Sequence, residues 1–182
     1  MSGTLTLEAL REALPEAARD TKVNLVNVLA QGSLAPEQRW GTAVAAALAA
    51  RSPEVARALI AAGEAAGHLP PEIVSDSEAA ASLMAMTNVT YRFKHLVAKA
   101  DYPSLPLRLR MMRVAQPAST KVNLELFSLA VSAMHGCETC ITAHEKVLRE
   151  AGFTPEQVFE AVRVAAVVNS AVTGLAIRAA RS

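Results

Sequence analysis

Apolar residues recur every three to four positions along most of the chain, and strict alternation of apolar and polar residues is rare. This spacing is typical of helices with one buried face, and the abundant Ala, Leu, Glu and Arg favour helix in the same segments. Proline, glycine and serine residues divide the pattern into separate helices. The predicted helices cover residues 5–14, 17–29, 36 to about 50, 53 to 63 or 67, 71 to about 98, 107–114, 124–134, 137–151 and 155 to about 180. No segment predicts a strand, so the predicted fold class is all-α.

Two helix starts carry particularly clear signals. Ser52 precedes Pro53, which suits a serine cap followed by proline in the first turn. Thr154 is followed by Pro155 and, at the capping-box position, by Gln157. We therefore expect one helix to begin at Pro53 and the last helix to begin at Pro155.

A weak internal repeat relates residues 51–73 to residues 136–158, at an offset of 85 positions. Small residues and turn residues match across it, with Gly67 lying over Gly152. Each segment reads as helix, break, helix, glycine-ended turn and proline-opened helix. The repeat predicts an internal duplication within one all-helical domain, residues 1–182, with halves at about 36–98 and 121–182.

The composition and charge of the chain exclude several classes of protein. The 182 residues are 52% hydrophobic, too apolar for a disordered chain, and 18 Lys and Arg nearly balance 17 Asp and Glu. A near-neutral chain lacks the charge that recruits nucleic acid or an anionic membrane, and with 4% aromatic residues it offers few platforms for stacking bases. Two cysteines are too few for a disulfide-stapled scaffold.

The chain shows no targeting or membrane-spanning pattern. Acidic residues begin at Glu8, and no basic region precedes an apolar run, as it would in a signal peptide. The apolar stretches at 41–50 and 164–177 are shorter than the roughly 20 residues that span a bilayer. We therefore expect a soluble protein of the reducing cytoplasm, where a close cysteine pair is more often catalytic or metal-binding than structural.

The two cysteines, Cys137 and Cys140, stand at the start of a predicted helix and share one face with His144, one turn further on. A helix N-terminus favours a thiolate, and such a pair can cycle between dithiol and disulfide, usually with the first cysteine outermost. Glu125 precedes them in an apolar segment, where a carboxylate is costly unless paired. An imidazole and a carboxylate can move protons to and from sulfur. The equivalent positions of the first half hold no such groups; they are Ser52, Val55 and Leu59.

Other interpretations of these residues stay open at this point. A cysteine is often only a small buried apolar residue. With His144 the two cysteines offer three zinc ligands, and His135 is near in sequence but is expected to point elsewhere. Glu125 on its own suits a solvated helix position as well as a proton relay.

The block NLELFSLAVSAMHGCETCITAHEKVLREAG surrounds the candidate site, and three further segments accompany it: LREALPEAARDTKVNLVNVL, MTNVTYRF and LRLRMMRVAQP. Together they resemble the alkyl hydroperoxidase D (AhpD) proteins, within the carboxymuconolactone decarboxylase-like superfamily, over nearly the whole chain. The spacing Glu-x11-Cys-x2-Cys-x3-His is specific to that family, whereas a bare Cys-x2-Cys is not. The resemblance implies an all-helical fold and a homotrimer.

The same resemblance implies an antioxidant alkyl hydroperoxide reductase. Cys140 would be the peroxide-attacking thiolate that becomes a sulfenic acid, and Cys137 would donate a proton and then close a disulfide with it. Glu125 and His144 would form the proton relay. No cofactor would be bound: reduced lipoyl groups of a carrier protein would reopen the disulfide. The protein would also reduce a partner peroxiredoxin, alkyl hydroperoxide reductase C, through a mixed disulfide.

One position departs from the family pattern. Well-known members carry His just before the second cysteine, where this chain has Thr139, preceded by Glu138. The charge of Glu138 would raise the pKa of the thiols unless that side chain points to solvent. His135, just upstream, is a candidate to supply the missing positive charge.

A basic segment, residues 92–121, holds seven Lys or Arg and one Asp. Such a run is usually a solvated face; the alternative is a docking patch for an acidic lipoyl carrier or for the peroxiredoxin. We expect His95 at the surface and His68 exposed in a turn. Trp40 and Phe127 are expected in the core or a subunit interface, and core-filling roles are expected for Met84, Met86, Met111 and Met112.

Two other functions compete with the peroxidase. One is a decarboxylase-like or other enzyme of the same superfamily that does not use its cysteines as a redox pair. The other is a non-catalytic, stress-associated oligomer, in which Glu138 and Thr139 would be marks of decay. The complete cysteine pair with its flanking relay favours the peroxidase.

Overall fold

The structure, a computed structural model, describes residues 6–181, and all the regular elements in that range are helices. The predicted all-α class is thereby confirmed. In chain order the helices are α1 (Leu7–Ala13), α2 (Arg19–Ala30), α3 (Pro36–Ala49), α4 (Pro53–Ala65), α5 (Pro71–Val97), α6 (Met112–Ala115), α7 (Lys121–His135), α8 (Glu138–Glu150) and α9 (Pro155–Ala179), with a 3-10 turn at Glu16–Ala18.

The two signalled helix starts lie at the predicted positions. The Ser52 hydroxyl accepts a hydrogen bond from the Val55 N–H at 3.3 Å, and α4 begins at Pro53. At the start of α9, Thr154 accepts from the Gln157 N–H at 3.2 Å while the Gln157 side chain accepts from the Thr154 N–H at 2.9 Å. These side chains satisfy N–H groups that the first turn of a helix leaves unpaired.

The predicted helix over residues 107–114 is wrong. Only Met112–Ala115 is helical there, and Arg108 has a φ of 52°, in the left-handed region that an α-helix excludes. Arg113 donates to Asp76 at 3.0 Å and to Ser75 at 2.8 Å, which ties the segment to α5. Tertiary contacts therefore override the helix propensity of Leu, Arg and Met.

Smaller differences concern helix ends. Helix α7 begins at Lys121, three residues before its predicted start, because the Thr120 hydroxyl caps it by accepting from the Asn123 N–H at 3.1 Å. Helix α8 begins at Glu138, and Cys137 is its cap, with extended backbone. The predicted start of the first helix at residue 5 lies outside the described residues.

Helices α3 and α7 pack against each other, and each also packs against α5 and α9. Their apolar residues form the centre of the core, which places Trp40 and Phe127 in it as predicted. Burial of this apolar surface is the main stabilising contribution to the fold. The fully buried side chains include Val44, Leu59, Leu126, Phe127, Leu129, Val164 and Val168.

The helices of the two predicted halves follow in the same order, α3-α4-α5 and α7-α8-α9. Gln38 and Asn123, 85 positions apart, lie opposite each other on α3 and α7 and share a hydrogen bond of 3.2 Å. Asp76 on α5 accepts the N–H groups of Ala118 and Ser119 before α7, both at 2.8 Å. The duplication and the domain limits stay predictions.

By length and composition alone, α9 is a helix that could cross a membrane. In this fold it packs against α2, α3 and α7, and one side of it is buried in the core. Val164, Val168 and Ala171 are completely covered there. An apolar helix in such a position is an ordinary core helix.

A buried ion pair joins α3 to α9 and holds the loop between α2 and α3. Arg39 and Glu160 are 5% and 3% exposed, and their side chains meet at 3.1 Å. The second oxygen of Glu160 accepts from the N–H and hydroxyl of Ser33, at 2.5 and 2.7 Å, and from the N–H of Leu34 at 3.2 Å. Gly32 completes this loop, since a Cβ there would clash with the Glu160 carboxylate.

Glu160→Gln is expected to lower the free energy of unfolding by about 3–5 kcal/mol at pH 7, because Arg39 would stay buried without its counter-ion. Burial alone raises the pKa of Glu160, but the hydrogen bonds from Ser33, Arg39 and Leu34 outweigh it and hold the pKa below the ordinary 4.5. As pH falls, the Glu160 carboxylate is therefore protonated in the unfolded chain before it is protonated in the folded protein. The stabilisation that Glu160 contributes is fully present above about pH 4.5 and is lost as pH falls through the folded-state pKa.

Urea unfolding at pH 7 and again below pH 4.5 measures this effect, which should be large at pH 7 and smaller in acid. Glu156→Gln is the matched control, since Glu156 is exposed in the first turn of the same helix and should change stability by less than about 0.5 kcal/mol. Equal unfolding midpoints for the wild type and Glu160→Gln at both pH values would contradict the prediction.

Candidate active site

A tight turn between α7 and α8 brings the cysteines to the site. Gly136 has φ 63° and ψ 38°, a left-handed conformation that glycine adopts without strain. Its N–H bonds to the Ala133 carbonyl at 3.2 Å, and the Cys137 N–H bonds to the Ser132 carbonyl at 3.1 Å. This pattern ends α7 and starts α8 one residue later, so both sulfurs lie at the N-terminus of α8.

Cys137 and Cys140 lie at disulfide distance, with their Cα atoms 5.3 Å apart. Cys137 is completely buried, whereas Cys140 is 6% exposed. The expectation that the first cysteine lies outermost is therefore wrong. Because Cys137 caps α8 from the turn, its side chain is covered, and Cys140 in the first helical turn is the cysteine that lines a cavity.

Glu125 and His144 form a close pair beside the cysteines. The Glu125 carboxylate lies 2.6 Å from Nδ1 of His144, and the two side chains are only 12% and 17% exposed. Glu125 is thus a partly buried carboxylate with a partner, as its apolar surroundings require. His144 follows Cys140 by one helical turn and lies on the same face of α8. The structure brings all four predicted residues together; their catalytic roles stay predictions.

Cys140 and His144 line a cavity of about 770 Å³ between α5, α8 and the segment before α7. Its volume falls in the range of sites that bind small molecules, and its lining is mainly apolar. A hydroperoxide with an organic group would find both a sulfur and an apolar wall here. The remaining lining residues are Met84, Thr87, Tyr91, Met111, Val114, Ala115, Pro117, Lys121, Thr139 and Ala143.

The side of this cavity formed by α5 and residues 111–117 was not predicted from the sequence. Met84 is buried in the core as expected, but its sulfur also lies 3.3 Å from Nε2 of His144. Met111 lines the cavity and Met112 is 54% exposed, so a core-filling role is wrong for these two residues. Their position depends on how distant helices pack, for which the spacing of residues carries no signal.

The two residues between the cysteines point in different directions. Glu138 is exposed and lies 3.2 Å from Nε2 of His95, which is at the surface as predicted. Its charge is therefore directed to solvent and not to the sulfurs. Thr139 contributes to the cavity wall next to Cys140, at the position where the family resemblance leads us to expect His.

His135 does not supply the missing positive charge. It lines a separate cavity with Arg51 and Arg92, and its Nδ1 lies 3.0 Å from the Asn88 amide. Burial, followed by the charges of Arg92 and Arg51, holds the pKa of His135 below 6.5, so the ring is neutral at pH 7.

His68 and His144 each contact other side chains. His68 is half-buried and packs on Trp40, with ring centroids 6.2 Å apart, so the prediction that it is exposed is wrong. His144, which a zinc site with the cysteines would need, is engaged by Glu125 and Met84. Among residues 6–181, no group of three His, Cys, Asp or Glu side chains is arranged to hold a metal ion.

The basic segment is partly used for internal contacts. Arg92 donates to the His135 carbonyl, Lys94 to the Leu105 carbonyl and Arg113 to Asp76. The remaining four cations are exposed and have no hydrogen-bond or ion-pair partner within residues 6–181; they are Lys99, Arg108, Arg110 and Lys121. These four cations, of which Lys121 lines the cavity, are available to an acidic partner.

The amino-acid sequence is similar to known proteins of one family. The model of the carboxymuconolactone decarboxylase family matches residues 100–181, which include α6 to α9 and both cysteines. Alkyl hydroperoxide reductase AhpD of Anaeromyxobacter sp. (strain K) is 54% identical over 93% of this chain and 90% of its own length. The AhpD proteins of Rhodospirillum centenum and Solibacter usitatus are 45% and 43% identical, covering 98% and 96% of this chain and 95% and 98% of their own lengths.

These relatives match nearly the whole chain at 43–54% identity. The chain belongs to the AhpD family of alkyl hydroperoxide reductases, within the carboxymuconolactone decarboxylase class, which confirms the resemblance drawn from the motif.

Proposed function

We propose that this protein reduces organic hydroperoxides with the Cys137–Cys140 pair. The observation that carries the proposal is the position of Cys140: it is the member of a disulfide-forming pair that opens into an apolar cavity, and the Glu125–His144 pair lies on the same face. The AhpD relatives, named alkyl hydroperoxide reductases, support this role.

The chemistry proceeds in two balanced steps. The Cys140 thiolate attacks the distal oxygen of the hydroperoxide, the O–O bond breaks, and the alkoxide takes a proton to leave as alcohol. The product is a Cys140 sulfenic acid. The Cys137 thiol then displaces its hydroxyl group, which leaves as water, and the disulfide forms. One hydroperoxide has taken two electrons from the two thiols.

The Glu125–His144 pair serves these steps as the proton relay. The Glu125 carboxylate fixes the ring of His144 through Nδ1, which leaves Nε2 beside the Met84 sulfur in the cavity that Cys140 also lines. An imidazole at this place can take the thiol proton before attack and return it to the departing alkoxide. The partial burial of both side chains strengthens the interaction between them.

A dithiol must reopen the disulfide, and we assign this step to the reduced lipoyl group of a carrier protein. Exchange through a mixed disulfide returns both cysteines to thiols and leaves the lipoyl group oxidised. The unpaired cations of the basic segment support docking of an acidic carrier beside the cavity. The same exchange chemistry would reduce the partner peroxiredoxin, alkyl hydroperoxide reductase C.

The assembly and the compartment are part of the proposal. Val89, Phe93 and Leu96 lie at helical spacing along α5 and are 59%, 52% and 70% exposed, and a homotrimer would cover apolar residues of this kind. A reducing cytoplasm suits a cysteine pair that must return to the dithiol state in each cycle.

Thiol counting tests the redox role directly. Reduced protein should show two titratable thiols, and one equivalent of cumene hydroperoxide should remove both, because each turnover consumes one pair. Dihydrolipoamide should restore them, whereas cumyl alcohol, the matched control compound, should leave both thiols in place. If both thiols remain titratable after hydroperoxide, the redox role is excluded, and the non-redox functions of the superfamily take its place.

A further inference from the structure

Met84 places a third sulfur atom in the candidate active site. Its side chain comes from the middle of α5, is only 4% exposed, and lines the same cavity as Cys140. Cys140 itself is 6% exposed, so the two residues are buried to a similar extent. The mechanism proposed above uses Cys137 and Cys140 and gives Met84 no part.

Three donors surround the Met84 sulfur. Nε2 of His144 and the hydroxyl of Ser132 are each 3.3 Å away, and the hydroxyl of Thr87 is 3.6 Å away. The two hydroxyls have second acceptors, Asn88 at 3.0 Å and the Leu83 carbonyl at 2.9 Å. For Nε2 of His144, the Met84 sulfur is the one hydrogen-bond acceptor that residues 6–181 provide.

The direction of this contact follows from the chemistry of the thioether. A methionine sulfur carries no hydrogen and can only accept, so the contact is a hydrogen bond when Nε2 of His144 carries the proton. When the relay holds a proton on Nε2, His144 directs an N–H donor at the Met84 sulfur while the Glu125 carboxylate accepts from the other ring nitrogen. In that form a nucleophilic sulfur and a proton donor lie 3.3 Å apart in a cavity suited to hydroperoxides.

We propose that Met84 is a second peroxide-reactive site, oxidised to the sulfoxide by hydroperoxide that enters the cavity while Cys137 and Cys140 are joined as a disulfide. This proposal rests on the proposed function to the extent that organic hydroperoxides must enter the cavity. In the disulfide state neither cysteine can attack, and Met84 is the remaining sulfur beside His144. A thioether is a weaker nucleophile than a thiolate, so a Cys140 thiolate would react with the hydroperoxide first. We therefore expect oxidation of Met84 when no dithiol remains to reduce the disulfide.

The oxidation balances without a further reagent. A lone pair of the Met84 sulfur attacks the distal oxygen, the O–O bond breaks, and the alkoxide takes the Nε2 proton of His144 and leaves as alcohol. The hydroxyl proton on sulfur then returns to His144. Methionine and hydroperoxide become methionine sulfoxide and alcohol, with two electrons taken from sulfur.

The product would slow the enzyme that forms it. A sulfoxide oxygen is a stronger acceptor than a thioether and is polar and larger. Placed at Met84, it would hold the proton of His144 and narrow the cavity next to Cys140. We expect loss of peroxidase activity that dithiols do not reverse, since they reopen disulfides and do not reduce the sulfoxide.

The order in which methionines are oxidised tests the proposal on the wild-type protein. The disulfide form, prepared with diamide, is treated with excess cumene hydroperoxide, digested, and analysed by mass spectrometry for oxygen addition at each methionine. Exposure alone would put Met112, 54% exposed, first and Met84 last. We expect Met84 before both Met111 and Met112; oxidation of Met112 with Met84 unmodified would overturn the proposal.

Two leucine variants, each measured against its own starting activity, test the consequence. Met84→Leu keeps the volume and removes the sulfur, so it should resist peroxide-dependent inactivation. Met111→Leu is the matched control, because Met111 lines the same cavity without a hydrogen bond to His144, and it should be inactivated at the wild-type rate. Equal inactivation of Met84→Leu and the wild type would overturn the proposal.

The role of His144 has its own test. His144→Phe removes the proton donor and should slow oxidation of Met84 by about tenfold or more, with the Met112 rate unchanged. An unchanged Met84 rate would remove His144 from the reaction. Peptide analysis of the diamide-treated protein does not require Cys140 to turn over, so failure of thiol loss and failure of Met84 oxidation are separate results.

Discussion

Cys140→Ser is expected to lower hydroperoxide turnover by about 10³-fold or more. Cys140 is the sulfur that faces the apolar cavity, and it lies in the first turn of α8, where free N–H groups favour a thiolate. A serine hydroxyl stays protonated at neutral pH and forms neither a sulfenic acid nor a disulfide. The substitution replaces the sulfur atom by oxygen, so a loss of activity would be caused by the chemistry of that sulfur. Steady-state kinetics with cumene hydroperoxide measures the rate of turnover.

Cys137→Ser is the matched control for this prediction. Cys137 is completely buried and does not line the cavity, so its loss should leave the first attack possible and remove the resolving step. The variant should consume one equivalent of hydroperoxide and stop, with a sulfenic acid on Cys140 that mass spectrometry detects after trapping. Near-normal turnover by Cys140→Ser would show that the attacking sulfur is assigned to the wrong cysteine.

Most of the fold could be predicted because its helices are marked by local signals. The Thr154–Gln157 capping box and the Ser52 cap act within one turn of chain, so the residues that fix these helix starts are neighbours in sequence. Gly136 likewise ends α7 through its own left-handed conformation.

The predictions were wrong where contacts between residues far apart in the sequence determine the local structure. Residues 107–111 contain good helix formers, but Arg108 is left-handed and Arg113 bonds to Asp76, 37 positions earlier. The candidate site shows the same division. Cys140 and His144 lie one turn apart on α8, so helical spacing was sufficient to predict that they share a face. The pairing of Glu125 with His144 was implied by the family resemblance and not by spacing.

Met84 illustrates what spacing does not reveal. It lies 60 positions before His144, on a helix whose contact with α8 depends on the packing of the whole core. In the sequence it is one apolar residue among many in α5. Its contact with His144 is a tertiary feature, and only the packed structure distinguishes it from a residue that merely fills space.

The second large effect is expected at the proton relay. Glu125→Gln and His144→Phe should each lower kcat/KM by about 10²-fold or more, because each removes part of the group that takes and returns the proton. Both side chains are only partly buried, and urea unfolding should show that each variant remains folded. Glu145→Gln is the control on the same helix: the Glu145 side chain is 46% exposed and pairs with Arg149 at 3.8 Å, and its replacement should leave kinetics unchanged.

The double variant separates a relay from two independent effects. Glu125 contacts His144 at 2.6 Å and does not line the cavity, so a carboxylate that acts through the imidazole has nothing to act on once the imidazole is gone. Adding Glu125→Gln to His144→Phe should therefore cost little further activity, and the losses should be far from additive. Losses that multiply would show that Glu125 acts without His144, and unchanged kinetics in both single variants would remove the relay from the mechanism.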